Sequence, residues 1–181
     1  MLVQVLVGLL AVVLVAALGR LAWAWNKYRG RRVITCPENQ RPAGVTVNAA
    51  HAAATALGRS PELRLSTCSR WPERRSCGQE CLTQIHASPE DCLIRNILIT
   101  WYRGKACVSC GRSFGDIEWS HKPALLTGEK VSLEWDRVSA DKIFEVLAAS
   151  QPLCFACHMA NTLVREHPDL AVDRSARENM S

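Results

Sequence analysis

The stretch "LCFACHMAN" at residues 153–161 contains two cysteines and a histidine in the order Cys154, Cys157, His158. This C-x-x-C-H pattern is the covalent attachment signature of c-type haem. Two thiols separated by two residues are also half of a four-cysteine zinc site. The choice between these chemistries depends on what the rest of the chain supplies: an axial haem ligand or a second pair of thiols.

A second thiol pair is present, because Cys107 and Cys110 form another C-x-x-C, followed by Gly111. Four thiolates at about 2.3 Å from one ion make a closed structural zinc site. The haem interpretation would use His158 as one axial ligand. Its sixth ligand would come from one of four other histidines: His51, His86, His121 and His167. That interpretation leaves the Cys107–Cys110 pair without a role, so we expect zinc at Cys107, Cys110, Cys154 and Cys157.

A cysteine knuckle, a predicted hairpin and a C-x-x-C that enters a helix follow one another over residues 107–166. This order resembles a treble-clef zinc finger, and within that group it is similar to HNH endonucleases. The resemblance puts His121, in "EWSHKPALL", at the general-base position and His158 at the metal-binding histidine. Ser120 stands where the family has an acidic metal ligand, and a hydroxyl binds Mg²⁺ less well than a carboxylate. The pattern is therefore a degenerate HNH-like one, for which we expect no enzymatic activity.

Four further cysteines precede this unit: Cys36, Cys68, Cys77 and Cys81. Cys77 and Cys81 are one helical turn apart, which puts both on one face if the segment is helical. We expect Cys36 and Cys68 to follow neighbouring strands. The set predicts a second four-thiolate zinc site, with an Fe–S cluster or buried free thiols as the alternatives. Cys92 remains, and we interpret it as a small buried thiol.

Residues 1–19, "MLVQVLVGLLAVVLVAALG", contain no charged side chain. Nineteen helical residues at about 1.5 Å each cover roughly the 30 Å of a bilayer's hydrocarbon. Trp23, Trp25 and Tyr28 follow where an interfacial aromatic belt is expected. A cleaved signal peptide would have a basic start and a small-residue cleavage site. Since no base precedes Arg20, the segment predicts a retained transmembrane anchor.

The net charge of +5 comes from the membrane flank. No acid precedes Glu38, and the bases before it are Arg20, Lys27, Arg29, Arg31 and Arg32. Basic flanks stay in the cytoplasm, so we expect a single-pass protein of the inner, cytoplasmic membrane whose C-terminal domain is cytoplasmic. Thiols there stay reduced, which favours metal ligands over disulfides. We expect anionic lipid near Arg29, Arg31 and Arg32, and no nucleic-acid partner, because the remaining chain is neutral.

Together these patterns predict an α+β protein: an N-terminal transmembrane helix followed by a small metal-stabilised domain with a treble-clef-like zinc unit. The predicted parts are an anchor (1–25), a basic juxtamembrane linker (26–34), a Cys-rich α+β subdomain (35–104) with a capped helix at 89–103, a zinc unit (105–167) and a flexible tail (168–181). The chain resembles, in general terms, small membrane-anchored, Cys-rich bacterial proteins. We expect one or two zinc ions and a scaffold or adaptor with an unidentified protein partner. A haem c electron carrier and an HNH-type nuclease are the alternatives.

Overall fold

The computed structural model describes residues 1–58, 60–74, 76–117, 119 and 122–168. The chain divides into two compact units, Met1–Ile97 and Leu98–Ser181. Both contain helices and antiparallel strands, so the mixed α and β composition and the apolar N-terminal helix are confirmed. The predicted border between residues 104 and 105 falls shortly after the observed division. Residues 169–181 of the predicted tail lie outside the described residues.

The first helix, α1 (Leu2–Tyr28), is long and apolar enough to cross a membrane, and none of its most apolar 18-residue window is buried against protein. The predicted basic linker at 26–34 is wrong. Lys27 and Tyr28 form the last turn of α1, and residues 31–35 form a strand. Arg32 is fully buried, because its guanidinium bonds the backbone carbonyls that α1 leaves free at its C-terminus.

Unit 1 contains a three-stranded antiparallel sheet in the order β1-β2-β3. Its strands are β1 (Arg31–Thr35), β2 (Pro42–Val47) and β3 (Leu65–Cys68). Two short helices accompany it: α2 (Ala49–Thr55) and α3 (Leu82–Ala87). Asn48 caps α2, since its side chain accepts the His51 N–H at 3.0 Å. The core of this unit joins the end of α1 to the sheet and to α3.

The helix predicted at 89–103 is shorter in the structure, where α4 spans Ile94–Tyr102. The predicted start was wrong because residues 89–93 contact β1 instead. The Pro89 carbonyl accepts from Arg32 Nε at 3.3 Å, and the Cys92 carbonyl accepts from Val33 N–H at 2.9 Å. Ser88, which directly precedes the predicted capped helix, is the C-cap of α3.

Unit 2 contains a second three-stranded antiparallel sheet, in the order β5-β4-β6. Its strands are β4 (Ala124–Leu126), β5 (Ser132–Leu133) and β6 (Gln151–Leu153). The 3₁₀ turns Trp135–Arg137 and Ala140–Lys142 precede α5 (Ile143–Ala149), and α6 (Phe155–Glu166) follows β6 directly. The Tyr102 hydroxyl donates to the Ala124 carbonyl at 2.7 Å and so ties the end of α4 to β4. This sheet brings the end of β6 next to the segment that carries Cys107.

Candidate metal centre

One side of the candidate centre is a tight turn at Cys107–Gly111. The Cys107 N–H donates to the Arg112 carbonyl at 2.8 Å, and the Gly111 N–H donates to the Cys107 carbonyl at 2.9 Å. Gly111 has a φ of +72°, a conformation that glycine adopts at little cost. The turn therefore brings the Cys110 side chain back beside Cys107.

The other side is the start of α6. Cys154 is the N-cap of this helix, and Cys157 lies in its first turn. The Cys154 N–H points at the Cys107 sulfur, 3.3 Å away. The Val108 N–H donates to the Pro152 carbonyl of β6 at 3.0 Å, which fixes the turn against the strand leading into α6. Short-range geometry thus positions each thiol pair, and the sheet brings the two pairs together.

The four sulfurs of Cys107, Cys110, Cys154 and Cys157 all lie within 4.8 Å of one another. The Cys110 and Cys154 sulfurs are 3.8 Å apart, much farther than the roughly 2.0 Å of a disulfide. Four sulfurs at about 2.3 Å from a central ion stand about 3.8 Å apart in a tetrahedron. The residues therefore fit one tetrahedral ion. A [4Fe–4S] cluster would hold its thiolates farther apart, because each binds a different iron.

The electrostatics of the four thiols suit a cation. Burial opposes ionisation of Cys107, but N–H groups of Cys154, Cys110 and Ser109 that point at its sulfur lower its pKa to about 6. The Ser109 hydroxyl lowers the pKa of Cys157, yet burial and the three neighbouring thiols outweigh it and raise that pKa to about 12. One thiolate forms readily here and the next ones are opposed by like charge, which a divalent cation would offset.

His158 lies next to this cluster in sequence but turns away from it. Its ring is buried, and its Nε2 is 3.6 Å from the Glu134 carboxylate. Its Nδ1 has no hydrogen-bond partner within the described part of the chain. His121, the other histidine of the HNH-like pattern, lies outside the described residues, so the structure does not test that pair.

This arrangement does not support covalent haem at Cys154 and Cys157. Haem c would need both thiols on the porphyrin edge and the His158 ring facing its iron. Here the two thiols face Cys107 and Cys110, and the imidazole is buried against Glu134. The four-thiol cluster therefore favours a metal ion over haem.

The four cysteines of the N-terminal set, Cys36, Cys68, Cys77 and Cys81, line one cavity of about 300 Å³ in unit 1. Burial and, to a lesser extent, the neighbouring thiols of Cys68, Cys77 and Cys36 together raise the pKa of Cys81 to about 11. Among the described residues, however, this set does not converge as closely as the cluster of unit 2. The four predicted cysteines thus line one cavity, but their sulfurs are not close enough together to bind a single ion without rearrangement. Cys92 lies outside both sets and is half-buried.

Two residues at these sites have no local signal in the sequence. Glu134 reaches His158 from the end of the β4–β5 hairpin. Arg70 donates to the Cys36 sulfur at 3.0 Å and pairs with Glu38 at the same distance. Each contact joins residues that are far apart in the chain, so neither follows from spacing.

No family model, curated protein or solved structure matches this chain. The site therefore has to be interpreted from its own geometry. That geometry shows four cysteines close enough to bind a metal, in a unit compatible with a zinc finger. The finer resemblances to treble clefs and HNH nucleases stay interpretations of the motif.

Proposed function

We propose that this chain is a membrane-anchored zinc protein that acts as a non-enzymatic scaffold or adaptor on the cytoplasmic side of the membrane. The observation that carries the proposal is the four-sulfur cluster of unit 2, whose spacing suits one tetrahedral ion. Zinc is the metal favoured by a closed set of four thiolates without a free coordination position. Such a site stabilises a fold and leaves no position for a reacting water.

The packing of α1 supports a retained anchor over a cleaved signal sequence. Ala24 is fully buried against Ala53 and Ala56 of the α2 region, and Tyr28 belongs to the core of unit 1. Cleavage after the apolar segment would remove side chains on which the folded unit depends. The helix is therefore part of the domain that it anchors.

Charge and redox chemistry support the cytoplasmic orientation. Arg29 and Arg31 are exposed at the end of α1, where positive residues retain a flank in the cytoplasm. Thiols stay reduced in the cytoplasm, as the four-cysteine cluster of unit 2 requires if it binds a metal. Lipid contact rests on these two arginines, because Arg32 is buried.

The adaptor role is supported by the surface of α6. Phe155, Met159 and Leu163 follow one another at intervals of four residues and are all exposed, Met159 and Leu163 by about half. Residues at this spacing share one helix face. The face starts beside the thiol cluster, so metal binding would hold it in shape for a partner protein.

The metal proposal is tested by elemental analysis of full-length protein purified without added metal. We expect zinc in the unaltered chain and loss of one equivalent in the double variant Cys107→Ser/Cys154→Ser. The matched control is Cys92→Ser, which should keep the zinc content because Cys92 lies outside both cysteine sets. Equal zinc content in the double variant and the control would refute the site.

The adaptor role and the orientation need separate tests. A photo-crosslinking residue at Leu163 should give a discrete protein adduct in cells, and one at Arg165, on the opposite face, should not. Equal labelling at both positions, or none at Leu163, would contradict an apolar docking face. A reporter enzyme active only in the cytoplasm, fused after residue 168, should be active, and an inactive fusion that is present in the membrane would reverse the orientation.

A second candidate function is an HNH-like hydrolase, which the contact between His158 and Glu134 favours. The carboxylate would supply an acidic metal ligand that Ser120 cannot. Nuclease activity that requires Mg²⁺ and disappears in His158→Ala and Glu134→Gln, with zinc content unchanged, would establish it. Absence of such activity in zinc-loaded protein would leave the scaffold role.

A further inference from the structure

The β1–β2 turn of unit 1 has the backbone of a metal-binding knuckle. Its sequence is "TCPENQR" (35–41), and the knuckle of unit 2 is "ACVSCGR" (106–112). The Cys36 N–H donates to the Arg41 carbonyl at 2.9 Å, and the Gln40 N–H donates to the Cys36 carbonyl at 2.8 Å. Cys107, Gly111 and Arg112 form the same two bonds within 0.1 Å. Cys36 therefore occupies the position of the first knuckle ligand.

The residue four positions after the first cysteine also has the same backbone conformation in both turns. Gln40 has a φ of +56° and Gly111 one of +72°. A residue with a side chain is uncommon in this conformation, so the turn's own hydrogen bonds must hold Gln40 there. Asn39 stands where unit 2 has Cys110, and its side chain accepts the Arg41 N–H at 3.1 Å. The two turns therefore share their backbone geometry, and an amide stands in unit 1 where unit 2 has its second sulfur.

The second half of the site is similar in residue order only. Cys81 directly precedes α3 as Cys154 directly precedes α6, but the backbone of Cys81 is already helical (φ −61°, ψ −17°), whereas that of Cys154 is extended (φ −75°, ψ 160°). Three residues later, Gln84 stands where Cys157 stands in unit 2. The Gln84 amide bonds both backbone groups of Thr35, at 2.6 and 3.1 Å, and so ties the start of α3 to the residue before Cys36.

Two sulfurs of the unit 2 pattern are therefore missing from unit 1, and two others lie at the same cavity. Cys68 ends β3, and Cys77 precedes α3 in an exposed position. Both line the cavity of about 300 Å³ together with Cys36 and Cys81. Arg70, which donates to the Cys36 sulfur, offsets negative charge at the cavity, as a four-thiolate site with a net charge of about −2 would require.

We propose that Cys36, Cys68, Cys77 and Cys81 form a second binding site for a soft divalent cation, with lower affinity and faster exchange than the cluster of unit 2. Cys36 is held by the knuckle-like turn, and Cys81 lies at the start of α3. Cys68 and Cys77 lie on other segments, which have to move toward them. The described sulfurs of unit 1 do not converge as those of unit 2 do. Closing the site spends part of the binding energy on rearrangement, whereas a preorganised site spends little.

The test is a Co²⁺ titration of full-length, metal-free, reduced protein in detergent, followed by thiolate-to-cobalt absorption. We expect two equivalents, the second bound at least about tenfold more weakly. Cys36→Ser/Cys81→Ser should lose only the weaker equivalent, and Cys107→Ser/Cys154→Ser only the tighter one. Cys92→Ser should keep both. A single equivalent that Cys36→Ser/Cys81→Ser leaves unchanged would overturn the proposal.

Alkylation of the unaltered protein gives a readout that does not depend on the folding of variants. Addition of the second Co²⁺ equivalent should protect Cys68 and Cys77 from iodoacetamide, as read by mass spectrometry of peptides. If both thiols react at the same rate with and without that equivalent, the proposal fails. In the Cys107→Ser/Cys154→Ser variant, any cobalt that still binds reports on the unit 1 site alone. Loss of binding at the unit 2 cluster is therefore distinguishable from loss of binding at this second site.

Discussion

Arg32 is the buried residue whose replacement tests most directly how the apolar helix α1 joins the rest of unit 1. Its guanidinium donates to the carbonyls of Lys27 and Tyr28 at 2.6 and 2.7 Å. Longer bonds reach the carbonyls of Arg29, Gly30 and Pro89 at 3.2 to 3.3 Å. These groups include the last carbonyls of α1, which have no partner inside the helix. A positive charge at this end is also favourable for the helix dipole.

Arg32→Met keeps much of the side chain's length and removes every donor. The two shortest bonds are charge-assisted, and a hydrogen bond to a charged group contributes about 1.5–3 kcal/mol. The net stabilisation by these hydrogen bonds is smaller, because burying the charged guanidinium costs desolvation free energy. We therefore expect the free energy of unfolding to fall by about 3 kcal/mol. Arg32→Lys retains the charge with a single ammonium and should lose roughly half as much.

The assay is urea unfolding of the full-length protein in detergent micelles, read by proteolysis of unit 1. The control is Arg29→Met, which removes an equal charge from an exposed position and should change stability by less than about 0.5 kcal/mol. Equal shifts in the Arg32 and Arg29 variants would show that the buried guanidinium does not hold α1 to the strand. In that case the helix end would be fixed by apolar packing alone.

Three further predictions concern unit 2 and the repeated knuckle. Chelation of metal should abolish the protection of unit 2 amides in hydrogen exchange, because structural zinc contributes about 10–16 kcal/mol in small fingers; unchanged protection would mean that the thiol cluster has no structural role. Tyr102→Phe should cost about 1–2 kcal/mol in urea unfolding, because the Ala124 carbonyl loses its buried donor. Burial also raises the pKa of Tyr102, so its phenol should stay neutral in alkaline titration until unit 2 unfolds. Asn39→Cys/Gln84→Cys, in a Cys68→Ser/Cys77→Ser background, should create a zinc site as tight as that of unit 2; a site no tighter than in the background would refute the repeat.

The four-cysteine centre was predictable because each thiol pair is fixed by its own short segment. A C-x-x-C turn with glycine and a C-x-x-C at a helix start both determine where two sulfurs point. Only the meeting of the two segments depends on the tertiary fold: the Val108 N–H donates to the Pro152 carbonyl of β6, and Cys107 packs with Leu153. The partners Glu134 and Arg70 were not predictable, because their contacts join distant residues.

The misassigned linker shows a different limit of sequence reasoning. Arg32 stands among exposed arginines in a basic flank, and arginine is almost never fully buried unless it is paired. The partners of Arg32 are backbone carbonyls. Every residue has a backbone carbonyl, so the sequence does not indicate which ones Arg32 will bond. The same reason explains why the helix predicted from Pro89 begins at Ile94, since backbone bonding to β1 decided that start.

The likeness between the turns at Cys36 and Cys107 is not visible in the cysteine spacing because of how such a turn is stabilised. Its shape depends on backbone hydrogen bonds and one left-handed residue, and neither requires a second cysteine. A turn with Asn39 at this position can therefore keep the knuckle's backbone while lacking its second sulfur ligand. A comparison of cysteine spacings alone does not align "TCPENQR" with "ACVSCGR", whereas a comparison of hydrogen bonds does.

The location of the proposed second site also relates metal binding to the end of α1. Cys81 belongs to the same buried cluster as Tyr28, the last residue of α1, and Cys36 and Cys68 pack against that cluster. A cation that draws these thiols together would order side chains on which the end of α1 rests. Because coupling between two equilibria is reciprocal, a change in how α1 packs would change the affinity of the cavity for metal by the same factor. The preorganised four-thiol cluster of unit 2 and the proposed looser site beside α1 would then have different roles, one stabilising a fold and the other responding to how α1 packs.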